Sequence, residues 1–191
     1  SSVRYIGWHA FGDCTGLTSV VISNGVEHLD GNVFWGCSDL TTVTIPESVD
    51  YIYGNIFADC TNLTSIYVAE KNAYYKSADG VLFNEDMTAL MSYPGARKGA
   101  YKIPTSVTQI VDAAFRGCSG LTAITIPAGV TQIGYRAFGG CSSLLSVEIP
   151  NGIELIDWYT FYDCTSLTRV ILPASVTTID DSAFAGCTSL T

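Results

Sequence analysis

Seven cysteines are the residues of this 191-residue chain best suited to chemistry: Cys14, Cys37, Cys60, Cys118, Cys141, Cys164 and Cys187. Their spacing is 23 residues throughout, apart from one step of 58 between Cys60 and Cys118. A fixed period of this kind puts successive thiols on successive turns of a stack, about 4.8 Å apart with parallel side chains. A disulfide needs Cβ atoms about 3.8 Å apart and aimed at each other. A zinc site needs ligands converging from several directions. A straight column satisfies neither, so the thiols are expected to form a ladder of small buried groups that binds no metal.

Other chemistry is thinly represented. The histidines, His9 and His28, sit in non-equivalent places, and no nucleophile elbow, phosphate-binding loop or His-Glu-x-x-His motif occurs. Asp180 and Asp181 fall one turn from Asp157 and would draw a cation, but the spacing is not that of a calcium loop. No catalytic residue and no cofactor is expected. Composition narrows the classes further. Hydrophobic residues make up 48 % and charged residues 14 %, which excludes a disordered tail. The formal net charge of −9 disfavours nucleic acid and anionic membranes as partners. Apolar residues are interleaved with Thr, Ser and Gly, so no run approaches the roughly 18 residues of a membrane span.

The elements that carry the thiols follow from the same period. A Phe precedes each Cys by three: Phe11, Phe34, Phe57, Phe115, Phe138, Phe161 and Phe184. The stretch Val130–Gly152, VTQIGYRAFGGCSSLLSVEIPNG, shows the unit whole. Self-similarity at this period marks a solenoid whose turns bury a shared face. The run from Leu121 to Ile126 alternates, so Ile124 and Ile126 should point inward and Ala123 and Thr125 outward. So short a strand must pair in parallel with neighbouring turns, and Pro127 ends it, as Pro46, Pro104, Pro150 and Pro173 do elsewhere. Val130 and Ile133 bring the chain back over the core. Gly134 to Gly140 is expected to make one short helical or 3₁₀ turn, with Gly117, Gly140 and Gly186 suited to positive φ. Val33 and Ile56 replace Ala before the Phe, and Gly31 and Gly54 would supply the space.

Residues 1–68 read as regular turns. Residues 69–106 break the register, and a β-hairpin is predicted there, Val81 to Phe83 against Ala89 to Tyr93, turning at Asn84 to Thr88. Residues 107–191 are regular again, the last turn incomplete. The whole of 1–191 is thus one solenoid, expected to be a piece of a longer chain because both ends fall inside a repeat.

The pattern V-x-x-I-x-x-x-A-F-x-G-C-x-x-L-T-x-V-x-I-P closely resembles the BspA-type leucine-rich repeats of bacterial and protist surface proteins, over essentially the whole chain. The resemblance implies a right-handed leucine-rich-repeat solenoid with a parallel sheet on one face, short helical or 3₁₀ turns or loops on the other, and one hairpin insertion. It also implies an extracellular or cell-surface location. The expected role is non-catalytic binding or adhesion to a protein partner, in the host extracellular matrix or on another cell. The alternative is a stiff spacer about 40 Å long that presents another domain, at about 5 Å per turn.

Three surfaces are candidates for that contact. The outward strand positions include Tyr67, Lys102, Glu148 and Arg169 among mostly small side chains. Tyr135, Trp158, Tyr159 and Tyr162 fall at variable sites of neighbouring turns, with Trp8 and Trp35 near the start, and aromatic residues serve well as interface anchors. Lys71, Lys76, Arg97, Lys98 and Lys102 concentrate positive charge in the enlarged turn, where a projecting hairpin would serve a partner protein or merely break the stack and bend it.

Overall fold

Val and Ile alternating with Thr and Ser give each turn a strand with no partner inside its own turn, so it bonds to the turns on either side. The computed structural model describes residues 2–191, a parallel β-solenoid of about 8 turns; Ser1 lies outside the described residues. One ladder comprises Thr42–Ile45 with Ser65–Val68, Gly99–Lys102 with Leu121–Thr125, and Ser146–Glu148 with Arg169–Ile171. Val43, Ile66 and Val147 enter the core, while Thr44, Tyr67, Lys102, Thr125, Glu148 and Ile171 face outward, as the alternation predicts. Register sets Thr44 opposite Tyr67, Lys102 opposite Thr125 and Glu148 opposite Ile171.

A second parallel ladder lies where the sequence suggests only a returning segment. Most of its rungs are two residues long: Tyr5–Ile6, His28–Leu29, Tyr51–Ile52, Gln109–Ile110, Gln132–Ile133, Leu155–Ile156 and Thr178–Ile179. Two residues are too few to show an alternation, which is why the sequence does not announce them.

The third side, the corner around each Phe, corrects an expectation. Among the described residues there is no helix of any kind. Corner N–H groups alternate in their partners. Gly139 and Cys141 donate to Arg136 and Phe138 of their own turn, while Arg136, Phe138 and Gly140 donate to Trp158, Thr160 and Tyr162 of the next. A 3₁₀ segment would keep every donor at home; here every second one joins the turns together. The path needs positive φ twice per corner, as at Arg136 (53°) and Gly140 (75°). Gly117, Gly140 and Gly186 meet the need without a Cβ penalty, and Asp13, Asp59 and Asp163 fill the same slot in other turns at φ 58°, 61° and 55°. The two choices are coupled: a Cβ on Gly117 would lie 2.6 Å from Asp59 Oδ1, and one on Gly36 2.5 Å from Asp13 Oδ1. An Asp in one turn therefore calls for a Gly in the next.

Inside, Phe rings stack from turn to turn, with centroids 5.0 Å apart for Phe115–Phe138 and 5.2 Å for Phe138–Phe161. The thiols run alongside. Cys37, Cys60, Cys118, Cys141 and Cys164 are buried, Cys187 is partly covered, Cys14 is exposed, and all seven are unbridged. Each buried Sγ donates to the carbonyl of the aromatic residue one turn back, for example Cys60 to Phe34 (3.0 Å) and Cys141 to Phe115 (3.2 Å). Burial pushes the thiols of Cys37, Cys60, Cys118 and Cys141 up, so they stay protonated and unreactive. A thiol reagent is expected to label Cys14 rapidly and the five buried cysteines only after unfolding; rapid labelling of most would contradict the ladder. Val33 and Ile56 are fully buried as well. Gly54 does not make room for Ile56, since it faces open space and has φ 62°; its backbone, not its size, is what the turn uses.

The hairpin forms where the sequence places it, Val81–Asn84 against Ala89–Ser92, with a third antiparallel strand, Tyr75–Ala78, added to it. It does not project. Ala89 and Leu90 pair in parallel with Gln109 and Ile110, which incorporates the hairpin into the stack. Its side chains divide by parity: Leu82, Ala89 and Met91 pack into the core of residues 22–66, and Val81, Phe83 and Leu90 into that of residues 103–183, which Tyr93, just past the strand, also joins. A hairpin buried on both faces is a wall between two cores, and hydrophobic residues at consecutive positions are the reason it cannot stand in water.

Candidate functional site

The enlarged turn contributes Tyr93 to the aromatic column, stacked on Phe115 at 5.0 Å, but supplies no complete corner. The corner at residues 55–59 therefore faces the one at 113–116 directly, and side chains replace the missing rung. Buried Asn55 donates from Nδ2 to Ala113 O (2.7 Å) and accepts the Phe57 N–H at Oδ1 (2.8 Å). Asp59 Oδ2 accepts from Trp35 Nε1 (2.7 Å) and from Arg116 Nε (2.8 Å). The Arg116 guanidinium also lies over the Trp35 ring at 5.5 Å.

This gap is a groove of about 390 Å³. Trp8, Trp35 and Tyr53 form one wall, Arg116, Tyr135 and Arg136 the other, with Asn32, Asn55 and Asp112 between. The aromatic contacts are continuous on each side. Trp8, His9 and Trp35 follow one another at 5.2 Å, and Tyr135, Tyr159 and Tyr162 meet edge to face at 6.1 and 5.5 Å. Arg136 lies against both Tyr135 (5.0 Å) and Tyr159 (4.8 Å). Burial raises the Asp112 carboxyl, partly opposed by the N–H bond it accepts from Tyr135. A second groove, about 500 Å³, shares Arg116 and Arg136 with the first and extends past Tyr159 to Tyr162 and Asp163. The exposed rings along this face are Trp8 (66 %), Tyr53 (60 %), Trp158 (51 %) and Tyr162 (40 %).

Of the candidates named from sequence, Tyr135 and Tyr162 thus come together on the corner face through Tyr159, joined by Trp8 and Trp35 from the far side of the enlarged turn, while Trp158 is exposed one turn on from Tyr135 and lines neither groove. Tyr67, Lys102, Glu148 and Arg169 are all exposed on the strand face, and Glu148 edges a shallow groove with Thr125 and Ile171. Arg97 is otherwise engaged: it binds the Asp79 carboxylate (2.7 Å) and carbonyl (2.8 Å) and lies over Tyr93 at 5.6 Å, closing the enlarged turn on itself. Lys76 pairs with Glu85 at 3.3 Å. Lys71, Lys98 and Lys102 remain exposed and outside any ion pair among the described residues, so three of the five basic side chains are free for a partner. Among the described residues no three His, Cys, Asp or Glu side chains are placed to hold a metal ion, and no helix is long and apolar enough to cross a membrane.

The sequence marks none of Asn55, Asp59, Arg116 and Tyr53: even the amide of Asn55, two before its Phe, has a counterpart in Asn32, whose next turn is regular.

The family model described as BspA type leucine rich repeat region matches residues 1–85 and 99–191, in 6 copies. The unmatched residues fall in the enlarged turn. No curated protein matches the sequence significantly. Among solved structures, the pneumococcal vaccine antigen PcpA superposes with a TM-score of 0.90 at 29 % identity, over 99 % of this chain and 47 % of that one. The chain therefore spans about half the length of that antigen. A leucine rich cell surface protein from Faecalibacterium prausnitzii A2-165 gives a TM-score of 0.68 at 27 % identity, over 100 % of this chain and 69 % of that one. A leucine-rich repeat protein from Eubacterium ventriosum, 22 % identical, shares the fold with a TM-score of 0.71, over 100 % of this chain and 70 % of that one.

Proposed function

Because the chain belongs to the BspA type leucine-rich repeat family, we propose that it is a non-catalytic binding module of a cell-surface or secreted protein, serving adhesion to a protein partner through its corner face. One observation carries the choice of face: Trp8 (66 %) and Tyr53 (60 %) are exposed on a groove lined by two arginines, Tyr162 (40 %) is exposed on the second groove that shares both arginines, and Trp158 (51 %) is exposed one turn on from Tyr135. Large aromatic side chains left in water on a well-packed scaffold are costly unless a partner covers them. Trp, Tyr and Arg are also the residues that dominate interface energies. The similar leucine rich cell surface protein from Faecalibacterium prausnitzii supports the location.

Two multiple variants and immobilised extracellular matrix proteins test this. Replacing Trp8, Tyr53, Trp158 and Tyr162 by Ala is expected to lower capture at least tenfold. Replacing Tyr67, Lys102, Glu148 and Arg169 by Ala is expected to change it less than threefold. The opposite ranking would move the function to the strand face. Capture by neither the parent nor the variants would favour a spacer.

A further inference from the structure

Resting on the reading of the corner face as the binding face, we infer that its central groove is a subsite for a carboxylated sugar, a pyranose ring bearing an acidic group. Two observations converge on this class of ligand. The first is the state of Arg136. Its guanidinium lies 5.0 and 4.8 Å from two tyrosine ring centres set at 88° to each other. Among the described residues it has no carboxylate within ion-pair distance, although Arg4, Arg97 and Arg116 each have one. Its Nε is buried with no hydrogen-bond partner. Buried polar groups are almost always satisfied, and one that is not calls for an explanation. A planar cation held by rings and unclaimed by any carboxylate of an acidic chain is a ready receptor for a carboxylate from outside, which guanidinium binds through two parallel bonds. Arg136 lines both grooves, so one carboxylate there would be reachable from either.

The second observation is what the groove lacks. Its lining contains Trp8, Trp35, Tyr53 and Tyr135, with His9, Asn32, Asn55, Asp112 and Arg116, but no Val, Leu, Ile or Met. A pocket for an aliphatic peptide side chain would offer aliphatic partners, whereas the apolar surface here is aromatic. A sugar instead presents one C–H face, which carries partial positive charge and rests on the negative face of an aromatic ring. Its edge of hydroxyls needs the mixed donors and acceptors that amide, carboxylate and guanidinium side chains supply. At about 390 Å³ the groove falls within the usual range of small-ligand sites. Asp59 already neutralises Arg116, and Asp112 lines the same groove. Arg136 is therefore the one lining cation left for the acidic group, and Asp112 is an acceptor for hydroxyls.

Trp8 and Trp35 line the groove and Trp158 does not, so tryptophan fluorescence reports on occupancy. The chain is titrated with glucuronic acid, with glucose and with a glutamate-rich peptide, as the parent and as Arg136→Gln. Glucuronic acid is expected to perturb the emission of the parent. It should bind at least tenfold more tightly than glucose, and Arg136→Gln should lose at least tenfold in affinity for it with unchanged circular dichroism. Equal affinity for glucose, or an unaffected Arg136→Gln variant, would overturn the assignment. Binding of the peptide in place of the sugar would overturn it too, as would no response to any probe. If those outcomes occur while the corner-face variant still abolishes capture of matrix proteins, the sugar subsite falls and the binding face stands.

Discussion

Phe138→Ala is expected to destabilise the chain by about 4 kcal/mol, within the range of about 3–5 kcal/mol for removing a buried Phe. Phe138 is fully buried and stacked on both sides, on Phe115 and Phe161. Each such ring pair adds about 0.5–1.5 kcal/mol beyond area burial, and the hole cannot close, because the rungs above and below are fixed by backbone bonds from Phe115 to Ala137 and from Phe138 to Thr160. In a solenoid each turn is stabilised by its two neighbours. The loss should therefore appear as early melting of residues 107–191, measured by urea denaturation with hydrogen exchange. A shift below about 1 kcal/mol would mean that the column is not packed as described.

The hairpin wall makes the second large prediction. Leu82→Ala and Phe83→Ala are adjacent in sequence and both fully buried, yet they face different cores. Each should cost about 2–5 kcal/mol, with different consequences. Leu82→Ala should raise hydrogen exchange in the rungs up to Ile66, and Phe83→Ala in those from Ile103 onward. Identical exchange profiles would show a single cooperative core and remove the partition. The aromatic residues likewise form two stacks, Phe11–Phe34–Phe57 and Tyr93–Phe115–Phe138–Phe161–Phe184, one on each side of the wall.

Much of this was legible from residues alone, and the misses have physical causes. The strand face could be read position by position because a strict alternation of Val or Ile with Thr or Ser fixes which side faces water. The period puts the thiols in one column, but it does not give their burial: five of the seven are buried, Cys187 is partly covered and Cys14 is exposed. The corner is not legible as non-helical. An A-F-x-G-C stretch has no periodicity of its own, and every second donor is satisfied by the next turn, 23 residues away, where local pattern cannot reach. The hairpin is legible, but a projecting one is at odds with Val81-Leu82-Phe83 and Ala89-Leu90-Met91, apolar at consecutive positions, the mark of a strand buried on both faces. The aromatic residues of the site were half legible. Tyr135, Trp158 and Tyr162 share one neighbourhood in sequence, whereas Trp8, Trp35 and Tyr53 reach them only because the enlarged turn supplies no complete corner, bringing Asp59 and Arg116 to 2.8 Å across 57 residues.

Charge leads to the same site. The chain is acidic overall, and long-range attraction would bring cations, not anions, to its surface. Selectivity for an acidic ligand must then come from short-range geometry, and the contact between Arg136 and its two tyrosines is such a geometry. Because Arg136 is partly screened by those rings, raising the salt concentration should weaken capture only modestly.

Hydrogen–deuterium exchange of the chain, free and bound to the matrix protein it captures, tests the placement of the binding face most directly. Binding through the corner face predicts new protection at residues 8–13, 53–59, 112–117, 135–140 and 158–163, with the strands Ser65–Val68, Gly99–Lys102 and Ser146–Glu148 unchanged. Protection confined to those strands, with the corners unaffected, would contradict it.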